Sequence, residues 1–259
     1  MSTTDTMPAA GVLPRFRKLG PEDVSGALSA GWADFRRAPQ FGLFFAAVYI
    51  AGGLAIGWLL GVTGQFWWMI PAGFGFPLIA PFVALGLYEA SRRLATGEPL
   101  EWSAVMRAPF RHGNGQIPAL AVILLVFFMM WFVVARVVFA VFLGTGSLPN
   151  IASDPWVLVS AEMVPLYLAG GAIGAAIAFG LFATQVISLP LLLDRDIDFV
   201  SAMIASVGVV RDNLGVMVRW GLTIAVLTVL AMLPAFLGLF VVLPLLGHAS
   251  WHLYRRALA

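Results

Sequence analysis

The chain of 259 residues is 61% hydrophobic and only 11% charged, with a mean hydropathy of +0.93. Water-soluble domains carry about 25% charged residues, so this composition excludes one and makes lipid the expected solvent. A formal net charge of +2, with basic residues set beside apolar runs, points to membrane topology rather than nucleic acid, and the absence of cysteine removes disulfides, thiolate metal sites and cysteine nucleophiles.

Residues 1–20 read as a flexible cytoplasmic segment holding Arg15, Arg17 and Lys18, without the apolar core of a signal peptide, so insertion starts at the first mature hydrophobic run. Residues 21–259 read as a single membrane domain. Crossing about 30 Å of hydrocarbon takes about 20 apolar helical residues, and such runs stand at 41–62, 67–91, 117–143 and 163–193. From Val216 to Tyr254 there is room for two more, at 216–233 and 236–254, with Pro234 placed where a helical hairpin reverses the chain. The expected fold is all-α with six transmembrane helices.

All Lys and Arg residues but Arg136 fall in the N-terminal segment, in the 92–116 and 194–219 loops, or at the C-terminus. These are alternate sides of a six-span chain, so the positive-inside rule puts both termini in the cytoplasm of a bacterial inner membrane. Each inner segment before an odd-numbered span also shows helical spacing of apolar residues: Val24, Leu28, Trp32 and Phe35; Trp102, Met106 and Phe110; Phe199, Met203, Val207 and Val210. Such helices belong in the interface, before the chain turns into the membrane. The even-numbered spans end alike, with Pro81 before Glu89, Pro190 before Asp198 and Pro244 before His252. The chain thus reads as three copies of interfacial helix, span, span.

The stretches ALSAGWADFRRAPQFGLFFAAVYIAGG at 27–53 and FPLIAPFVALGLYEASRRLATGEP at 76–99, followed by DFVSAMIASVGVVRDNLG and HASWHLYRRAL, resemble the bacterial integral-membrane family grouped as domain of unknown function 2189. The resemblance covers most of the chain after residue 20. It implies a multispan membrane protein, and the cytochrome c oxidase label of some members implies an accessory or assembly partner of a respiratory complex. It carries over no catalytic residue.

Few side chains offer chemistry. His248 and His252 share a helix face, a spacing that could serve a haem iron or a copper, but a haem–copper core needs histidines on several spans and the chain has three in all. An interfacial pair beside Arg255, with polar tips in water, is the expected use, and no cofactor or metal is expected. Arg136, roughly 28 Å along the third span, is expected to snorkel outward and pair with Asp154 or Glu162. Glu89 has Arg92 and Arg93 at its i+3 and i+4 positions, a local ion-pair set at the cytoplasmic edge. Two small-residue ladders, Gly53, Gly57 and Gly61 on the first span and Gly170, Gly174 and Ala178 on the fourth, are expected to pack within the bundle. Gly73 and Gly75, before Pro77 and Pro81, are expected to kink the second span, since no strand precedes them as a dinucleotide fingerprint requires. Metalloprotease, P-loop and lipase motifs are absent from the sequence.

The expected function is that of a non-catalytic membrane protein working through contacts in the bilayer, with lipid and membrane subunits as partners. A small-solute transporter or channel is the alternative, suggested by the internal repeat and the proline-broken spans.

Overall fold

A computed structural model describes residues 13–63, 69–110, 116–143, 161–234 and 236–259. Its helices in chain order are α1 (Pro21–Arg37), α2 (Pro39–Thr63), α3 (Met69–Thr96), α4 (Trp102–Arg107), α5 (Gln116–Leu143), α6 (Val164–Gln185), α7 (Ser188–Asp194), α8 (Phe199–Asp212), α9 (Leu214–Met232) and α10 (Leu239–Ala257). Short 3-10 turns at Ala108–Phe110 and Ala161–Met163 complete them. Apart from a single antiparallel bridge between Phe16 and Leu258, the described residues are helical or loop.

Local chemistry sets the breaks between helices. Pro21 opens α1 with Glu22 and Asp23 in its first turn and Arg36 and Arg37 in its last, each sign matched to the helix dipole. Pro39 ends α1, because the residue before a proline is pushed out of the helical region, and Ala38 sits at φ −139°. Asp198 caps α8 by accepting from the Ser201 amide at 2.8 Å. Asn213 separates α8 from α9, with its side chain accepting from the Leu19 amide at 2.7 Å and donating to the Val209 carbonyl at 2.9 Å. At the break between α6 and α7 the Ser206 hydroxyl accepts from the Ile187 amide at 3.1 Å and donates to the Ala183 carbonyl at 2.7 Å. Backbone groups freed inside an apolar chain are thereby satisfied.

Among the described residues, four stretches are long and apolar enough to cross a membrane: Pro39–Thr63, Pro118–Phe142, Val164–Asp194 and Leu214–Met232. The other two expected spans are occupied by α3 and α10. Gly73, Gly75, Pro77 and Pro81 all fall within the continuous helix α3. The helix break expected at Pro234 is present, since α9 ends at Met232 and α10 begins at Leu239. Short helices α1, α4 and α8 stand at the three places where interfacial helices were expected. Val24 and Phe35 turn into the core, while Trp32, Trp102, Met106, Phe110 and Val207 are exposed. The proline-to-ionisable spacing does not put its three groups in one setting. Glu89 and His252 lie inside helices, but Asp198 follows the end of α7 and caps α8.

The hub is α10, which packs against α1, α2, α3, α7 and α9. Between helices in lipid the hydrophobic drive is weak, so close approach through small residues carries the packing. A β-carbon at Gly31 of α1 would stand 2.6 Å from the Ala249 backbone nitrogen of α10, and one at Gly42 would stand 2.6 Å from Pro244. One at Gly247 would meet Leu87, and one at Gly86 would meet Phe45. The main core gathers at the same end, with Trp220, Trp251, Tyr254, Leu191, Leu193 and Leu253 buried.

The two ladders part company. Gly174 approaches the Trp131 ring, where a β-carbon would come within 2.8 Å, and Gly170 lies against Val138, so the fourth-span ladder packs on α5. Gly57 and Gly61 meet nothing within 4 Å among the described residues, and Gly53 is exposed beside them. The expectation that the first ladder packs within the bundle is therefore corrected for Gly57 and Gly61. The close approaches of α2 lie instead at its start, where Gly42 meets α10.

The first residues also differ from expectation. Residues 13–19, read as part of a flexible lead-in, run alongside the chain's other end: the Arg17 amide donates to the Ala257 carbonyl and the Ala259 amide to the Arg15 carbonyl, at 2.9 and 3.0 Å. Residues 1–12 lie outside the described residues.

Gly31→Ala should lower the melting temperature in detergent, at a cost of about 1–3 kcal/mol from overpacking. Gly57→Ala should change stability by less than about 0.5 kcal/mol. Thermal unfolding of both variants checks this, and equal losses would mean that Gly57 is packed after all.

Candidate functional site

The polar side chains of this apolar chain gather around the last turns of α10. Helical spacing fans His252, Tyr254, Arg255 and Arg256 over different directions, and each meets an acid from another helix. His252 Nε2 lies 2.6 Å from Asp34 Oδ2 of α1, the Tyr254 hydroxyl donates to Asp194 Oδ2 of α7 at 2.8 Å, and Arg255 Nη1 lies 3.6 Å from the same oxygen. Arg256 Nη1 lies 3.6 Å from Asp23 Oδ1 of α1, which Arg17 also binds at 2.7 Å. The Gly20 amide donates to the other Asp23 oxygen at 2.8 Å.

Asp23 and Asp34 are 3% and 6% exposed, a burial that penalises ionisation unless partners offset it. Burial pushes the Asp34 carboxyl up, but hydrogen bonds from His252 and Ser91, with the charges of His252 and His248, outweigh it and hold Asp34 below the ordinary value of 3.8. Burial likewise raises Asp23, and the Arg17 hydrogen bond, the Gly20 amide and the charges of Arg17 and Arg256 bring it down. An ionised Asp34 only accepts, so His252 Nε2 is the donor.

The histidines are corrected from a solvated interfacial pair. His248 is fully buried, with Nδ1 2.7 Å from the Ser91 hydroxyl of α3 and Nε2 without a hydrogen-bond partner among the described residues. The two rings share a face as expected but are bonded to different helices, and His252 Nε2 is committed to Asp34. Among the described residues no group of three or more His, Cys, Asp or Glu side chains is placed to hold a metal ion.

At the end of α3 the expected Glu89 set is formed and is larger than expected. Arg92 grips Glu89 through Nε and Nη2, both at 2.8 Å, and Arg93 Nε reaches Glu89 Oε1 at 2.8 Å. Arg92 Nη2 also donates to Glu98 Oε2 at 2.7 Å. That hydrogen bond holds the Glu98 carboxyl down at about 2. Glu89 is 2% exposed, so its charge is met inside its own helix.

Arg136 is exposed on α5, between the exposed Val133 and Val137. Its expected partner Asp154 and the side chain of Glu162 lie outside the described residues. Sequence reasoning missed Asp23, Asp34, Ser91 and Asp194. Their one signal was polarity in an apolar chain next to the singled-out histidines and arginines.

Asp34→Asn should destabilise the protein by about 1–3 kcal/mol, the range for a buried hydrogen bond left imperfectly met. Combined with His252→Gln it should cost less than the sum of the single changes. Because the folded Asp34 value is depressed, its contribution is present above 3.8 and is lost as the pH falls below it. Acid unfolding of wild type should therefore be steeper through that window than that of Asp34→Asn. Strict additivity and superimposable acid curves would mean that the two side chains are not partners.

The family model DUF2189, described as predicted integral membrane protein, matches residues 69–194. That stretch runs from the start of α3 to the end of α7 and includes 76–99, one of the segments on which the resemblance rests. The segments at 27–53 and from Asp198 onward lie outside it, so the match is narrower than the resemblance drawn from the sequence. No curated protein and no solved structure matches the chain.

Proposed function

We propose that this integral membrane protein with a DUF2189 segment crosses a bacterial inner membrane six times, with both termini in the cytoplasm, and acts without catalysis through helix contacts in the bilayer. The observation that carries the reading is the use of its acids: the buried Asp23 and Asp34 and the partly buried Asp194 are each bound by a side chain of α10. Charges committed to joining helices support a scaffold.

An even number of crossings is supported by the pairing of residues 15–17 with 257–259, since segments bonded to each other share one side of the membrane. Helices α3, α7 and α10 also return to one level, where Tyr88 neighbours Trp251 with ring centroids 6.4 Å apart and Asp194 meets Tyr254. The Arg-rich ends gather there, as the positive-inside rule requires of a cytoplasmic face. The assignment to respiratory complexes, as accessory or assembly partner, rests on the family resemblance.

Purification in mild detergent followed by mass spectrometry tests the contact reading, with oxidase subunits expected to co-purify. A partner-free protein that moves solute across liposomes would replace it with transport. For topology, reporter fusions after residues 64, 150 and 259 should read periplasm, periplasm and cytoplasm. A cytoplasmic signal at residue 150 would sink the six-span arrangement.

A further inference from the structure

Where α1 passes into α2, α4 packs across the junction. Ala38, Phe41 and Val105 are buried together there, with Phe45, Leu87 and Ala90. The Trp102 ring lies 4.3 Å from that of Phe41 and 5.2 Å from that of Phe44. Arg36 and Arg37 immediately precede Ala38 of this cluster and Arg107 follows Val105 by two residues, and all three arginines are exposed.

These arginines differ from those around α10. Arg92, Arg93, Arg255 and Arg256 have carboxylate partners, whereas among the described residues no carboxylate lies within 4 Å of Arg36, Arg37 or Arg107. Arg36 lies instead over the Trp32 ring at 5.9 Å. The surface beside them is apolar: Phe44, Val48, Trp102, Met106 and Phe110 are 42%, 43%, 44%, 51% and 62% exposed. Positive charge without a carboxylate partner among the described residues, next to exposed aromatic and aliphatic side chains, matches a molecule with an anionic head and an apolar tail. Guanidinium groups bind phosphate oxygens in paired hydrogen bonds, and basic residues next to a span draw acidic lipids.

We propose that the junction of α1, α2 and α4 binds an anionic phospholipid. Its phosphate lies among Arg36, Arg37 and Arg107, its glycerol region lies against Trp102, and an acyl chain runs along Phe44 and Val48. The assignment rests on α2 crossing the bilayer. It does not depend on six crossings, on the position of the termini or on a protein partner.

The test uses the full chain in phosphatidylcholine nanodiscs with and without phosphatidylglycerol, followed by extraction in mild detergent and native mass spectrometry. Phosphatidylglycerol should be retained and should raise the melting temperature. R36Q/R37Q/R107Q should melt unchanged in phosphatidylcholine alone and retain about tenfold less phosphatidylglycerol. R15Q/K18Q/R211Q, which removes the same charge elsewhere, should retain as much as wild type. If the first triple variant does not fold, Arg107→Gln on the short α4 should still give a partial loss. Equal retention by wild type and the arginine variants would overturn the site, as would equal loss from the control variant, which would make the effect one of overall charge. A thermal shift from inorganic phosphate alone that matches the lipid's would overturn it too, by showing a soluble-anion site.

Discussion

A carboxylate withdrawn from water costs several kcal/mol unless hydrogen bonds or an opposite charge meet it, and the last turns of α10 meet two buried carboxylates and one partly buried one. His252 binds Asp34, Tyr254 and Arg255 bind Asp194, and Arg256 binds Asp23. These contacts fix where α1 and α7 sit relative to α10. Removing His252 takes from the buried Asp34 its nearest partner, so the set specifies an arrangement more than it adds net stability. The pairing of residues 15–17 with 257–259 closes the same layer from the other side.

Close packing and polar contact reinforce each other here. Gly31 lets α1 come against the Ala249 backbone, and that approach brings Asp34 to His252 and Arg256 to Asp23. Away from this layer the helices are apolar and largely exposed, as the surfaces of α2, α5 and α9 show. In lipid such surfaces cost nothing. The molecule thus has one tightly specified end, from which long apolar helices extend, and its recognition chemistry is concentrated at that end. Asp23, Asp34 and Asp194 hold helices to each other, while Arg36, Arg37 and Arg107 keep their charge at the surface. A protein organised in this way presents contact surfaces, which is the basis for reading it as a scaffold.

Helix identity was legible because apolar length and proline position act locally. The runs near 41–62, 117–143 and 216–233 became single helices, 163–193 became two with a break after Gln185, Pro234 fell in a turn, and helices formed where the amphipathic spacing put them. Arg92 and Arg93 were legible as partners of Glu89 because i+3 and i+4 neighbours on a helix touch regardless of the fold. Glu98 joins them from the following loop, where no periodicity points to it.

What depends on two helices meeting was not legible. A four-residue glycine ladder looks the same on a packed face as on an open one, so Gly174 against Trp131 and Gly57 without a neighbour within 4 Å among the described residues could be separated only by placing neighbours around them. His248 and His252 were visible as a pair, but Ser91 and Asp34 stand 157 and 218 residues away in the chain, and no local rule connects them. The sequence by itself determined an all-helical membrane protein and the local ion pairs at Glu89. Only the tertiary structure decided which buried charge is matched by which helix, because desolvation and close packing act between segments distant in the chain.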